Sequence, residues 1–199
     1  AFDKAIDANA AFADPYLDRA HLYLVEHKTE QAVAVLKKGA IAVPNDFRAP
    51  MAAAALLGNA GKYQEAMALY DDMLIRNPGL DVAANNLAEM IADYQFNDSV
   101  ALEKARQTAE RFSGTTNPVL LDTLAWVYFR QGNLPLAQTV IERALEQGSS
   151  VSPQVHYHYG AILMKSGKTD AAKAELQKAV VEGNSYPGLE EAKKMLSRQ

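Results

Sequence analysis

The side chains that could do acid–base or metal chemistry are few: four histidines, no cysteine, and 24 carboxylates set against 20 Lys and Arg. His156 and His158 stand two residues apart, a spacing that points them roughly opposite ways on a helix, so they cannot share a metal ion. No carboxylate stands at ligand spacing from either. His21 and His27 are six apart and separated by a turn end. The missing thiols remove disulfides, thiolate metal sites and cysteine nucleophiles together. The adjacent acids Asp71-Asp72 and Glu190-Glu191 read as solvated helix faces. Ser166-Gly167-Lys168-Thr169 ends like a phosphate loop, but the upstream glycine is absent; neither a nucleophile elbow nor a zinc-protease helix motif occurs. Catalysis has no footing in these residues, and no metal or cofactor is expected.

Composition narrows the remaining choices. A formal charge of −4 over 199 residues gives no clustered basic surface for nucleic acid. No run of 18 apolar residues exists, so no membrane span is expected, and no signal peptide is visible.

The elements that hold these side chains repeat. Gly61 precedes Ala66 by five residues, Gly132 precedes Ala137 and Gly167 precedes Ala172 at the same spacing, and His27 takes the Gly position before Ala32. Ala32 and Ala66 are 34 residues apart, Gly132 and Gly167 35. Units that begin at Ala13, Phe47, Asp81, Pro118 and Pro153 place Ala20, Ala54, Ala88, Ala125 and Gly160 at repeat position 8. The same register places Ala32, Ala66, Ala105, Ala137 and Ala172 at position 20. Small residues there fit the closest crossing of two antiparallel helices. Position 11 carries bulk (Tyr23, Leu57, Ile91, Tyr128, Leu163), and Pro44 and Pro78 stop the second helix of the first two units.

These residues resemble the tetratricopeptide repeat family, whose period is 34 residues of helix, turn and helix. The resemblance implies an all-α fold, a right-handed superhelical solenoid of antiparallel helix pairs. Residues 1–12 read as the second helix of a truncated preceding repeat, so further repeats are expected upstream. Five repeats follow at 13–46, 47–80, 81–117, 118–152 and 153–187, with a C-terminal capping helix at 188–199. The third unit is longer, with a lengthened inter-helix turn around Tyr94-Gln95-Phe96-Asn97-Asp98. Pro50, at position 4 of the second unit, sets the start of that helix near Ala49.

In this family the first helix of each pair lines a concave face through positions 2, 5, 9 and 12. Here the resemblance assigns partner binding to Leu17, His21, Met51, Ala55, Asn85, Glu89, Asp122, Trp126, Phe129, Tyr157 and Met164. Trp126, Phe129 and Tyr157 are expected to cluster with a half-exposed indole, which suits an apolar peptide or amphipathic helix. The cationic clamp of chaperone-binding relatives is absent, because its positions hold Leu17, His21, Met51 and Asp122. Leu120-Leu121-Asp122-Thr123-Leu124-Ala125-Trp126-Val127-Tyr128, Val155-His156-Tyr157-His158-Tyr159-Gly160 and Asn85-Asn86-Leu87-Ala88 resemble bacterial scaffolds of exopolysaccharide synthesis and export. That implies a non-catalytic protein-interaction scaffold, periplasmic or envelope-associated, with a protein or peptide partner and possible self-association through repeats. A cytoplasmic adaptor and the non-catalytic arm of a larger enzyme, such as a glycosyltransferase, are the alternatives.

Overall fold

The computed structural model describes residues 12–147, 151–181 and 185–197. The expected half-repeat at residues 1–12 therefore lies, Phe12 apart, outside the described residues. Regular structure among the described residues is helical throughout, apart from turns. The chain divides into two compact units, Ala1–Leu87 and Ala88–Gln199.

The first unit holds α1 (Asp14–Val25), α2 (Thr29–Ala42), α3 (Arg48–Asn59) and α4 (Tyr63–Arg76), and α5 (Asp81–Tyr94) begins there and runs on into the second. The second continues with α6 (Ser99–Ala109), a 3-10 turn at Glu110–Gly114, α7 (Pro118–Arg130), α8 (Leu134–Glu146), α9 (Pro153–Lys165), α10 (Thr169–Ala179) and α11 (Leu189–Ser197).

Local chemistry fixes where these helices start and stop. Pro118, Pro135 and Pro153 stand in the first turns of α7, α8 and α9, where a missing N–H costs nothing. The Asp98 side chain caps α6 by accepting from Val100 and Ala101 N–H, and Asn117 caps α7 by accepting from Val119. α3 starts at Arg48, which keeps Pro50 inside its first turn. Gly61, Gly132 and Gly167 take left-handed backbone angles, φ +74°, +80° and +76°, where the first helix of a pair ends. His27 adopts φ +57° at the equivalent place, a conformation that costs an L-residue roughly 1–2 kcal/mol. The longer third unit spends its additional residues on a 14-residue α5 and a four-residue turn, Gln95–Asp98.

Packing explains the small residues. Ala32, Ala66, Ala105, Ala137 and Ala172 are all 0% exposed, and Ala20, Ala54, Ala88, Ala125 and Gly160 are buried as well. A Cβ on Gly160 would lie 2.7 Å from Leu176 Cγ, so the α9–α10 crossing leaves no space for it. Ala137→Leu is accordingly expected to destabilise by about 1–3 kcal/mol through overpacking. An unchanged or higher Tm for that variant would show that this position is not a crossing point. In the first unit Tyr16, Ala20, Ala32, Val35, Leu36, Ala49 and Ala53 form one core cluster.

The C-terminal helix covers the last pair. α11 packs on α9 and α10, Ala192 is fully buried, and the Tyr186 hydroxyl donates to the Ala179 carbonyl at 3.2 Å. Gly188, at φ +96°, lets the chain enter α11 against Tyr157; a Cβ there would sit 2.3 Å from the ring.

Candidate functional site

Trp126 sits one turn before the end of α7, and the expectation of a half-exposed indole is corrected: it is 1% exposed. Its Nε1 donates to Asp93 Oδ1 at 2.7 Å, its ring stacks on His158 at 4.0 Å and on Phe129 at 4.8 Å, and Tyr157 tilts against it at 5.7 Å. An indole whose N–H is satisfied and whose faces are covered gains most by burial.

Asp122 is buried too. His158 Nδ1 meets both of its carboxylate oxygens, at 2.9 and 3.0 Å, with the imidazole 1% exposed. Burial opposes the imidazolium charge, but Asp122 outweighs it, and the His158 pKa lies above the usual histidine range. Glu89 is pushed above the usual carboxylate range by burial first and then by Asp122, while Gln154 Nε2 donates to it at 2.6 Å. His156 Nδ1 meets Glu175 Oε2 at 2.7 Å. Both histidines thus have carboxylate partners, drawn from other helices. Asp122 and His158 are 36 residues apart, one repeat plus one residue, so the partner lay a period away rather than within a helix turn. Among the described residues no three His, Asp or Glu side chains could hold a metal ion.

Above this polar layer a pocket of about 310 Å³ opens between α7, α9 and α11. It gathers four of the expected residues, Trp126, Phe129, Tyr157 and Met164. The sequence reading missed Arg130, Ala161, Lys165, Glu191 and Met195 around it. Arg130 follows Trp126 by four residues, a spacing that shares a helix face and could have revealed it. Glu191 and Met195 come from the helix assigned only to capping. The remaining expected residues stand elsewhere. Leu17 is half-buried against the first unit's core, and His21 and Ala55 are exposed. Met51 is half-buried near Asn86 Nδ2 at 3.9 Å, and Asn85 is buried with its Oδ1 lacking a partner among the described residues. A larger hollow of about 600 Å³ lies between α2 and α4 in the first unit. Its rim is occupied by Lys37–Glu65 and Lys62–Glu30 ion pairs, and no aromatic ring lines it.

No described helix is long and apolar enough to cross a membrane. A search of curated protein sequences finds no match. Solved structures match the fold along most of the chain. Residues 41 to the end of MamA from Desulfovibrio magneticus RS-1 align with a TM-score of 0.67 at 18% identity, covering 90% of this chain and 96% of that one. TTC0263, a thermophilic TPR protein of Thermus thermophilus, aligns at 0.69 and 17%, covering 94% and 100%. YrrB, described as a TPR protein with an unusual peptide-binding site, aligns at 0.65 and 19%, covering 98% of both chains. The tetratricopeptide repeat family model matches residues 17–81 and 123–187, more than half the sequence. With its paired helices, left-handed turn residues and buried alanine crossings, the chain belongs to the tetratricopeptide repeat family.

Proposed function

We propose that the chain is a non-catalytic scaffold whose second unit holds an apolar side chain, presented by an extended or helical segment of a partner protein, in the pocket between α7, α9 and α11. The tetratricopeptide fold points to protein–protein interaction in general, and the pocket carries the narrower reading. It offers Phe129, Tyr157, Met164 and Met195 as walls over a floor made rigid by Trp126. Rigid aromatic rings and adaptable, polarizable Met side chains together suit a buried apolar anchor. The repeat strings around Asp122 and His158 support placing the partner in a bacterial envelope or exopolysaccharide assembly. A signal peptide or lipid anchor on the protein would favour that compartment, and retention in the cytoplasmic fraction would favour a cytoplasmic adaptor.

The pocket is tested by selecting peptides from a random display library against the wild-type protein and titrating them onto Met164→Glu. Met164 is half-buried, so a charge there is expected to spare the fold yet weaken binding by about tenfold or more. Equal affinity for both proteins, at equal Tm, would place the selected peptides elsewhere and overturn the reading.

A further inference from the structure

We infer that the pocket selects a partner segment in which the anchoring apolar side chain has an acidic side chain beside it, the carboxylate landing on Arg130. This rests on the pocket reading above and names the chemistry of its occupant.

Arg130 ends α7 at the pocket wall, half-buried, with its guanidinium 4.4 Å from the ring centroid of Trp126 and 4.4 Å from that of Phe96. Contacts of this kind use the planar faces of a guanidinium and leave its in-plane N–H groups for an acceptor. That acceptor is missing: Nε is buried without a hydrogen-bond partner among the described residues. Most other arginines among the described residues are spent; Arg19 also has a buried Nε without a hydrogen-bond partner among them, but its Nη2 donates to the Tyr23 hydroxyl at 3.0 Å. Arg48 donates to Asp46 and Asp14, Arg106 to Glu103 and Glu110, and Arg143 to the Ser113 and Thr115 carbonyls. Burial disfavours the Arg130 charge, and the charge of Asp93 offsets this only in part. Asp93 is itself engaged by Trp126 Nε1.

The rim repeats the imbalance. Lys165 lines the pocket and forms no ion pair with a described residue, whereas Glu191 opposite is met by Lys194 at 3.8 Å. Two unspent cations beside Phe129, Ala161, Met164 and Met195 complement a single negative charge next to an apolar group. A phosphate dianion fits less well, because Glu191 lines the same space. Phe96 has a place in this arrangement: the longer turn after α5 delivers it onto Arg130 and fixes the fork.

The test takes the tightest peptide from the library and makes three twins, with Glu, Gln or phosphoserine beside the anchor. Binding is read from the fluorescence of Trp126, the single tryptophan, which the guanidinium touches. The Glu twin is expected to bind wild type about tenfold more tightly than the Gln twin at low salt, with the ratio shrinking as salt rises. In Arg130→Gln the ratio should fall to about one, and Arg130→Lys should keep part of it. Should Arg130→Gln fail to fold by circular dichroism, Phe96→Ala, in an exposed turn, carries the test, with a reduced ratio expected. A Glu/Gln ratio near one on wild type, or a ratio that survives in Arg130→Gln, overturns the inference and leaves the pocket reading standing if binding still depends on Met164. A phosphoserine twin that outcompetes the Glu twin also overturns it. Selected peptides that bind without dependence on Met164 overturn both readings.

Discussion

Replacing Trp126 by Ala is expected to lower the stability of the fold by roughly 3–5 kcal/mol, the range for emptying a large aromatic site in a packed core. The ring is 1% exposed, so the variant leaves a cavity rather than a wider mouth to the pocket. Three further losses accompany it: Asp93 Oδ1 loses its 2.7 Å donor, His158 loses its stacking face, and Arg130 loses one of its two rings. Urea unfolding followed by circular dichroism measures the effect, since the variant has no tryptophan to report it. A loss below about 1 kcal/mol would mean that Trp126 is a surface anchor with little structural weight. Binding is expected to weaken in this variant as well, through the loosened floor. That is why Met164→Glu, and not Trp126→Ala, is the cleaner probe of the pocket.

Removing Asp122 is expected to destabilise the fold by up to about 3–5 kcal/mol, most at acid pH, because the buried His158 imidazole loses the carboxylate that favours its charged form. The same pair predicts a pH dependence, and its sign follows from the raised His158 pKa. The folded state holds the proton to higher pH than the unfolded chain, so the stabilisation is complete below an ordinary histidine's value of about 6.5. It is lost as pH rises through the folded-state value. Stability is therefore expected to decline with rising pH above ~6.5, by up to about 1.4 kcal/mol per pH unit inside that window. The carboxylates that face the imidazole, Asp122 first, then Asp93 and Glu89, sustain this behaviour. Glu89, whose own pKa is raised by burial and by Asp122, adds a slope of the same sign that starts from the ordinary carboxylate range. Urea midpoints at several pH values for wild type and Asp122→Asn check this. The wild type should slope downward above pH ~6.5 and the variant should be nearly flat. Equal slopes would mean that His158 is neutral in the fold.

Much of the scaffold was legible because it is written in local rules. Gly61, Gly132 and Gly167 mark left-handed turn positions, Pro118 and Pro153 mark helix starts, and the alanines from Ala32 to Ala172 mark crossings. Each is a constraint met within one helix pair, so spacing alone exposes it. The site was legible only in part. Helix position selects which side of α7 carries Trp126, but not how far the neighbouring pairs close over it. That depth decides whether a ring is an anchor or a core residue. The buried polar layer escaped for a different reason. Asp122 meets His158, and Asp93 meets Trp126, across 36 and 33 residues, and such pairs show up only when residues one repeat apart are set side by side. Arg130 was passed over because its neighbours come from three places: Trp126 on its own helix, Phe96 from the longer turn, and the pocket walls of α9 and α11.

The pocket claim is tested most directly by following the methionine methyl signals in a carbon-13 NMR titration with the tightest library peptide. The chain has six methionines. Two of them, Met164 and Met195, line the pocket, while Met67 and Met73 are buried in the first unit. The account predicts that the Met164 and Met195 signals shift together, saturate at the peptide's Kd, and leave Met67 and Met73 unmoved. Saturating binding that leaves Met164 and Met195 in place, or that moves Met51 instead, would contradict it.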